Sequence, residues 1–285
     1  MSESEFIISL ENLGLSISDE QINKFRVYAS ELLSYNEHTN LTAIRNIEEV
    51  YLKHFYDSLT IYKVYRFSNE SVLDIGTGAG FPGIVLKIMF PDIKLTLLDS
   101  NNKKTTFLKY VLGKLKLDAT VINDRAEKYY LSGEKFDVVV SRAVADMSIL
   151  SEIAIPFCKV GGYFIAMKGK NTGEINNALY AIEFLGGKIN EKEEFSLLND
   201  AGERTLVKVE KVSDTPNGYP RVYDKIRKSP IAKIKKIKKR LDHVIDYTTN
   251  PSKTSKENYS DLHNVIEYTK ASYKTEEQLY VTALN

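Results

Sequence analysis

Asp74-Ile-Gly76-Thr-Gly78-Ala-Gly80-Phe-Pro-Gly83 sets a carboxylate two residues ahead of three alternating glycines, at the end of a short apolar run, Val72–Ile75. Glycine admits positive φ and lets a ligand come close to the backbone. Where such a turn opens into a helix, unpaired amides and the positive end of the helix dipole lie beside it. Pro82 suits that first helical turn. This is the chemistry of a nucleotide-type ligand site. Gly78-x-Gly80-x-x-Gly83 also fits the dinucleotide fingerprint, whose helix receives a pyrophosphate. The acid ahead of the glycines favours another ligand. Adenosylmethionine has no phosphate and carries an ammonium and a sulfonium, which a carboxylate at the strand end attracts.

Three further positions follow apolar runs, where open parallel sheets bind their ligands. Asp99 closes the run Leu95–Leu98, and an acid there can accept hydrogen bonds from ribose hydroxyls of either ligand. Asp124-Arg-Ala126-Glu127 follows the third run, placed to flank an adenine. Ser141-Arg142-Ala143 follows the fourth, where Arg142 is expected at a ligand or at RNA, with an arginine snorkelling to solvent as the plain alternative. No acid–base dyad, nucleophile–base pair or metal-ligand cluster stands out, and no catalytic residue is assigned. The four histidines, at 38, 54, 243 and 263, are scattered, and His54 lies on an apolar helical face that suits packing. The single cysteine, Cys158, sits among Ile155, Phe157 and Val160 as a buried filler thiol and excludes an internal disulfide.

The elements that must position these residues follow from periodicity. Residues 1–64 read as a helical cap. Ser18-Asp-Glu-Gln21 has the form of a capping box ahead of Ile22, Phe25, Ala29, Leu32 and Leu33 at helical spacing, and Asn46 is placed to cap a second helix. Residues 65–212 alternate apolar runs (Val72–Ile75, Leu95–Leu98, Ala119–Ile122, Phe136–Val140, Tyr163–Met167) with helical stretches near 82–90, 101–115, 146–157 and 172–184. Unalternating strands separated by helices predict a mostly parallel α/β sheet covered on both faces. Two more strands are predicted at 188–195 and 204–211, the latter alternating as an antiparallel strand near an edge does. Turn residues at Ser213-Asp-Thr-Pro-Asn-Gly218 then mark a boundary.

The 285 residues are 43% hydrophobic and 27% charged, an ordinary soluble composition, and no apolar run reaches the ~20 residues of a bilayer span. The polar, acidic beginning does not read as a secretory signal, and one cysteine suits a reducing compartment, so a cytoplasmic protein without membrane attachment is expected. The net charge of +1 conceals an asymmetry: residues 219–240 carry ten basic side chains against Asp224, while 241–285 carry four lysines against seven acids. The basic segment 213–240 reads as an RNA contact through phosphates or as a solvated tail. Residues 241–285, with sparse apolar positions, are an unassigned appendage with a composition open to disorder.

Taken together, Asp74–Gly83, Leu97-Leu-Asp-Ser100 with Lys103-Lys104, Ser141-Arg-Ala143, Asn40-Leu-Thr-Ala-Ile44 and His54-x-x-Asp57-Ser-Leu59 resemble the RsmG (glucose-inhibited division protein B) family over about residues 5–231. Tyr219-Pro-Arg221 and Lys228-Ser-Pro-Ile231 are similar to its basic ending, and residues 232–285 have no match in it. The resemblance implies a class I methyltransferase fold: a Rossmann-like, mostly parallel seven-stranded sheet with helices on both faces. It implies an enzyme that uses adenosylmethionine to methylate guanine N7 in 16S ribosomal RNA of the small ribosomal subunit, expected as a monomer. Its cofactor positions fall on Gly76, Phe81, Ala126, Glu127 and Arg142, to which the glycine loop adds Gly78 and the general class pattern adds Asp99. For RNA the candidates are Arg221, Arg227, Lys228 and the Lys233–Arg240 run, with Lys168 and Lys170 beyond the fifth strand; Phe81 or a tyrosine could stack on a base. Two other classes stay open on the residues alone: a methyltransferase acting on a small molecule or protein, and a nucleotide- or RNA-binding module without catalysis.

Overall fold

The computed structural model describes residues 1–170 and 173–231. Two capping boxes start the cap. Ser2 with Glu5 opens α1 (Glu3–Asn12), and Ser18 with Gln21 opens α2 (Asp19–Thr39), each pair satisfying amides that a helix start leaves unpaired. The first was not placed from the sequence, although Ser2-x-x-Glu5 carries the same signal as Ser18-x-x-Gln21. α2 ends at Asn40 in a left-handed conformation, φ +53°. Asn46 then caps α3 (Ile47–Glu49), which runs through a π-helical stretch (Val50–Tyr56) into α4 (Asp57–Leu59) and a 3-10 turn (Thr60–Lys63). Phe6, Phe25, Tyr51 and Phe55 close this layer, with ring centroids 4.9–5.3 Å apart in four pairs and 6.4 Å apart between Phe6 and Phe55.

Seven strands follow: β1 (Ser71–Ile75), β2 (Lys94–Asp99), β3 (Thr120–Asn123), β4 (Phe136–Arg142), β5 (Cys158–Lys168), β6 (Gly187–Ser196) and β7 (Glu203–Lys211). They form one sheet in the order β3-β2-β1-β4-β5-β7-β6, parallel except that β7 runs against both β5 and β6. Between them lie α5 (Gly83–Met89), α6 (Asn102–Leu115), α7 (Ala126–Tyr129), α8 (Met147–Ala154) and α9 (Glu174–Phe184), and α10 (Tyr223–Lys228) comes last. All seven predicted strands are present, and β7 is antiparallel and next to the edge strand β6, as its alternation predicts.

Side chains alternate across each strand, and that divides the core in two. Val72, Leu97, Val138, Val140 and Ile165 pack with the cap, α5 and α6. Leu73, Ile75, Leu98, Val139 and Phe164 pack with α8 and α9. Cys158 is buried in the second of these cores, as a packing thiol should be, and burial pushes it up to about 12. Residues 1–231 form one compact unit. The turn at 213–218 therefore leads to a segment that still belongs to it: Ile226 of α10 is buried against the α8 side. Lys170 is exposed, and Lys233–Arg240 and the appendage 241–285 lie outside the described residues.

Candidate functional site

At the carboxyl end of β1 the chain turns at Gly76, Gly78 and Gly80 with φ of +66°, +61° and +103°, a region that side chains with a Cβ enter at a cost. Each glycine meets a different need. A Cβ on Gly76 would come 2.5 Å from Val144 Cγ2, and one on Gly80 would come 2.5 Å from the Tyr28 hydroxyl. A Cβ on Gly78 would have only the Gly76 carbonyl within 4 Å, so the backbone there is open to a ligand. Gly83 lets α5 press onto the strand, since its Cβ would lie 2.5 Å from Leu97 Cδ2 and 2.8 Å from Asp74 Oδ2. The Tyr28 hydroxyl donates to the Ala79 carbonyl at 2.6 Å, which ties the loop to α2.

Asp74 stands at the strand end, as expected, but beneath the loop rather than on it. It is fully buried, and its Oδ2 accepts from Thr77 Oγ1 at 2.6 Å and from the Gly83 amide at 2.8 Å. It holds the loop in shape from beneath. Oδ1 has no hydrogen-bond partner among the described residues. Burial pushes the carboxyl up to about 6, against the pull of those two hydrogen bonds and of the Arg142 charge.

Asp99 ends β2 beside the loop. Its Oδ2 accepts from the Gly78 amide at 2.9 Å and its Oδ1 from the Asn101 amide at 2.8 Å. Asn123, at the end of β3, donates to the Asp99 carbonyl at 3.1 Å. Ala126 and Glu127 begin α7 next along the same edge of the sheet, and Glu127 accepts from the Tyr223 amide at 3.3 Å, which brings α10 to this end of the site. Arg142 ends β4. Its Nη1 donates to the Lys53 carbonyl at 3.1 Å and lies 3.4 Å from Asp57 Oδ2, while Nη2 lies 3.2 Å from His54 Nδ1. The snorkelling alternative is set aside: the guanidinium turns inward, to the cap.

Phe81 is 5% exposed. His54 stacks on it at 4.2 Å, Tyr28 at 5.4 Å, and the Arg142 guanidinium lies 5.1 Å from the ring. A base has no open face of Phe81 to stack on, so that half of the base-stacking expectation fails for packing reasons, and the tyrosine alternative is untouched by it. Burial, then the Arg142 charge, pushes His54 down to about 3, so it is neutral. With Arg142 donating to Nδ1, its proton sits on Nε2, 2.9 Å from Thr42 Oγ1. It is the packing histidine its apolar face predicts.

The RNA candidates divide. Arg227 and Lys228 are exposed on α10. Lys168 is turned inward: Nζ donates to the Ala145 carbonyl at 2.6 Å and pairs with Glu174 at 3.1 Å. Arg221 forks onto fully buried Glu152, with Nε to Oε1 at 2.8 Å and Nη2 to Oε2 at 2.6 Å. Both basic groups compensate acids that the fold has desolvated, which a linear charge count cannot reveal. Sequence reasoning also missed Val144, seated over Gly76, and gave Asp57 no role, although His54-x-x-Asp57 was in view.

With this geometry in hand, the relatives are informative. Residues 21–198 match the GidB family, described as rRNA small subunit methyltransferase G. The chain is 46% identical over 238 residues to a ribosomal RNA small subunit methyltransferase G of Lachnoclostridium phytofermentans, covering 98% of that protein and 81% of this one. A protein of the same name from Pediococcus pentosaceus is 46% identical over 242 residues, covering 100% of it and 82% of this chain. One from Bacillus cereus is 45% identical over 239 residues, again at 100% and 82%. About a fifth of this chain thus has no counterpart in relatives it otherwise spans end to end. The chain belongs to the rRNA small subunit methyltransferase G family.

Proposed function

We propose that the protein transfers a methyl group from adenosylmethionine to N7 of a guanine in 16S ribosomal RNA of the small ribosomal subunit. The observation that carries this reading is the near-complete alignment, at 45–46% identity, with proteins named for methylating small-subunit ribosomal RNA. The same observation favours it over a small-molecule or protein methyltransferase and over a module without catalysis. The fold agrees: the glycine loop, Asp99, Ala126 and Arg142 follow four neighbouring parallel strands at their carboxyl ends.

The residues present fit adenosylmethionine. A buried carboxylate oxygen without a donor, Asp74 Oδ1, suits a nearby cation, and the open backbone at Gly78 suits close approach of a ligand. Gly76, Gly78 and the Phe81 backbone would border the methionine part, with Arg142 behind it. Asp99 would take the ribose. Its plane is fixed by the Gly78 and Asn101 amides, and a carboxylate with four lone-pair sites still has acceptor capacity for hydroxyls. Ala126 and Glu127 would flank the adenine. When bound, adenosylmethionine supplies an electrophilic methyl group on a sulfonium.

Guanine N7 has an exposed lone pair and no proton to lose, so the protein's task is alignment of nucleophile and methyl carbon. No general base is required, and the catalytic assignment stays empty. His54, held neutral and bonded at both ring nitrogens, is not one. For the RNA, Arg227 and Lys228 on α10 are offered as phosphate contacts beside the adenine end, and the Lys233–Arg240 run, by its charge alone, as further phosphate contacts. Calorimetry with adenosylmethionine and with NAD, followed by transfer of labelled methyl to 16S RNA, tests the reading. Binding of adenosylmethionine with label in RNA is expected. Binding of NAD instead, or label only in protein, would overturn it.

A further inference from the structure

Between the cap and the sheet lies a buried charge cluster that the methylation chemistry does not by itself require. Asp57, 5% exposed on α4, faces two arginines. Arg142 from β4 approaches its Oδ2 at 3.4 Å, and Arg204 from the start of β7 donates Nε to its Oδ1 at 2.9 Å. His54, one turn earlier, accepts from the other arm of Arg142 and stacks on Phe81 of the glycine loop. Thr42 fixes the far side of the imidazole at 2.9 Å. The Lys53 carbonyl takes a third hydrogen bond from Arg142. All three acceptors come from the stretch that holds the π-helical turn (Val50–Tyr56) and the first residue of α4. That turn widens the helix just where Lys53, His54 and Asp57 must reach one guanidinium, a departure of the kind often found at functional sites.

We infer that Asp57 and His54 are positioning residues for Arg142, so that the N-terminal cap sets the shape of the cofactor-binding edge. A guanidinium at a strand end has long, flexible arms, and its planar fork is useful to a ligand only when its orientation is fixed. Here three cap acceptors fix it, and the His54–Phe81 stack carries the same constraint to the glycine loop. This inference rests on the assignment of Arg142 to the cofactor.

The test compares Arg142→Lys, Asp57→Asn, His54→Phe and the Asp57→Asn/Arg142→Lys pair. His54→Phe keeps a ring against Phe81 and removes both the Nδ1 acceptor facing Arg142 and the Nε2 donor facing Thr42. Thermal melts report folding, and steady-state kinetics report KM for adenosylmethionine, KM for RNA and kcat. Misplacing a binding group can lower efficiency by up to about 100-fold. Asp57→Asn and His54→Phe are expected to raise KM for adenosylmethionine about tenfold, with KM for RNA unchanged. In KM for adenosylmethionine the double variant should be little worse than Arg142→Lys alone, because Asp57 acts on that KM through Arg142. If Arg142→Lys leaves adenosylmethionine kinetics unchanged, the assignment of Arg142 has failed. If Arg142→Lys raises that KM while folded Asp57→Asn and His54→Phe do not, or if the double variant is additive, the positioning inference is overturned. Failure of both cap variants to fold would also overturn it, since it would make the cluster a stability device.

Discussion

At Asp74, burial and hydrogen bonding pull in opposite directions, and burial wins. A folded-state carboxyl raised from 3.8 to about 6 favours its neutral form in the fold. Its stabilising contribution is therefore fully present below about pH 4 and is lost as pH rises through about 6. A shift of about two units corresponds to roughly 3 kcal/mol at most. Asp74→Asn, whose amide oxygen can still accept from Thr77 and Gly83, is expected to flatten the stability change between pH 4 and 7 in urea unfolding. An unaltered pH dependence would refute the assignment. Gly78→Ala isolates the ligand approach. Its Cβ meets only the Gly76 carbonyl, at 3.9 Å, so the fold should lose only the ~1–2 kcal/mol of a left-handed residue while calorimetric affinity for adenosylmethionine falls by more. Gly76→Val adds a clash with Val144 and should abolish binding. The glycines were legible because their conformational need is local. The inward aim of Arg142 was not, because its partner Asp57 meets it only through the fold, nor was that of Asp74, because its burial comes from elements packed around the loop.

The strands were legible for an equally physical reason: parallel strands buried on both faces are continuous apolar runs, and only a sheet with helices on both sides buries them all. The capping boxes show how far local chemistry reaches. Ser18→Ala should cost about 1 kcal/mol of stability, as a lost N-cap does. Gln21 does more, since its Nε2 also donates to the Ile88 and Met89 carbonyls at the end of α5, at 3.0 and 3.1 Å. Gln21→Ala should therefore cost more than Ser18→Ala in chemical denaturation, and equal losses would contradict that second role. The π-helical turn was not legible, because its widening serves contacts made across the fold. The same holds for the segment after Val212. Its basic residues suggested a separate RNA-binding tail, whereas Arg221 is committed to buried Glu152. Arg221→Ala leaves that carboxylate buried without its partner and should destabilise the protein by about 3–5 kcal/mol. A variant with full stability and reduced RNA affinity would restore Arg221 to the RNA surface.

On the scale of the whole molecule, residues 1–231 form one compact unit, and about four-fifths of the sequence spans the relatives in full. Removing residues 232–285 should accordingly leave adenosylmethionine affinity unchanged. If Lys233–Arg240 neutralises RNA phosphates, the truncation should also flatten the salt dependence of RNA binding by about 0.7–0.9 log units for each phosphate no longer neutralised. An unchanged slope would make the lysine run a solvated tail. The central claim, methyl transfer to one guanine of the small-subunit RNA, is tested most directly by mapping methylated bases. 30S subunits and naked 16S RNA lacking the modification are incubated with the protein and adenosylmethionine, and the RNA is then scanned for N7-methylguanine. A single new N7-methylguanine is expected, and none with Gly76→Val. Methylation at another atom or base, or a 16S RNA left unmodified in both substrates by a protein that binds adenosylmethionine, would contradict it.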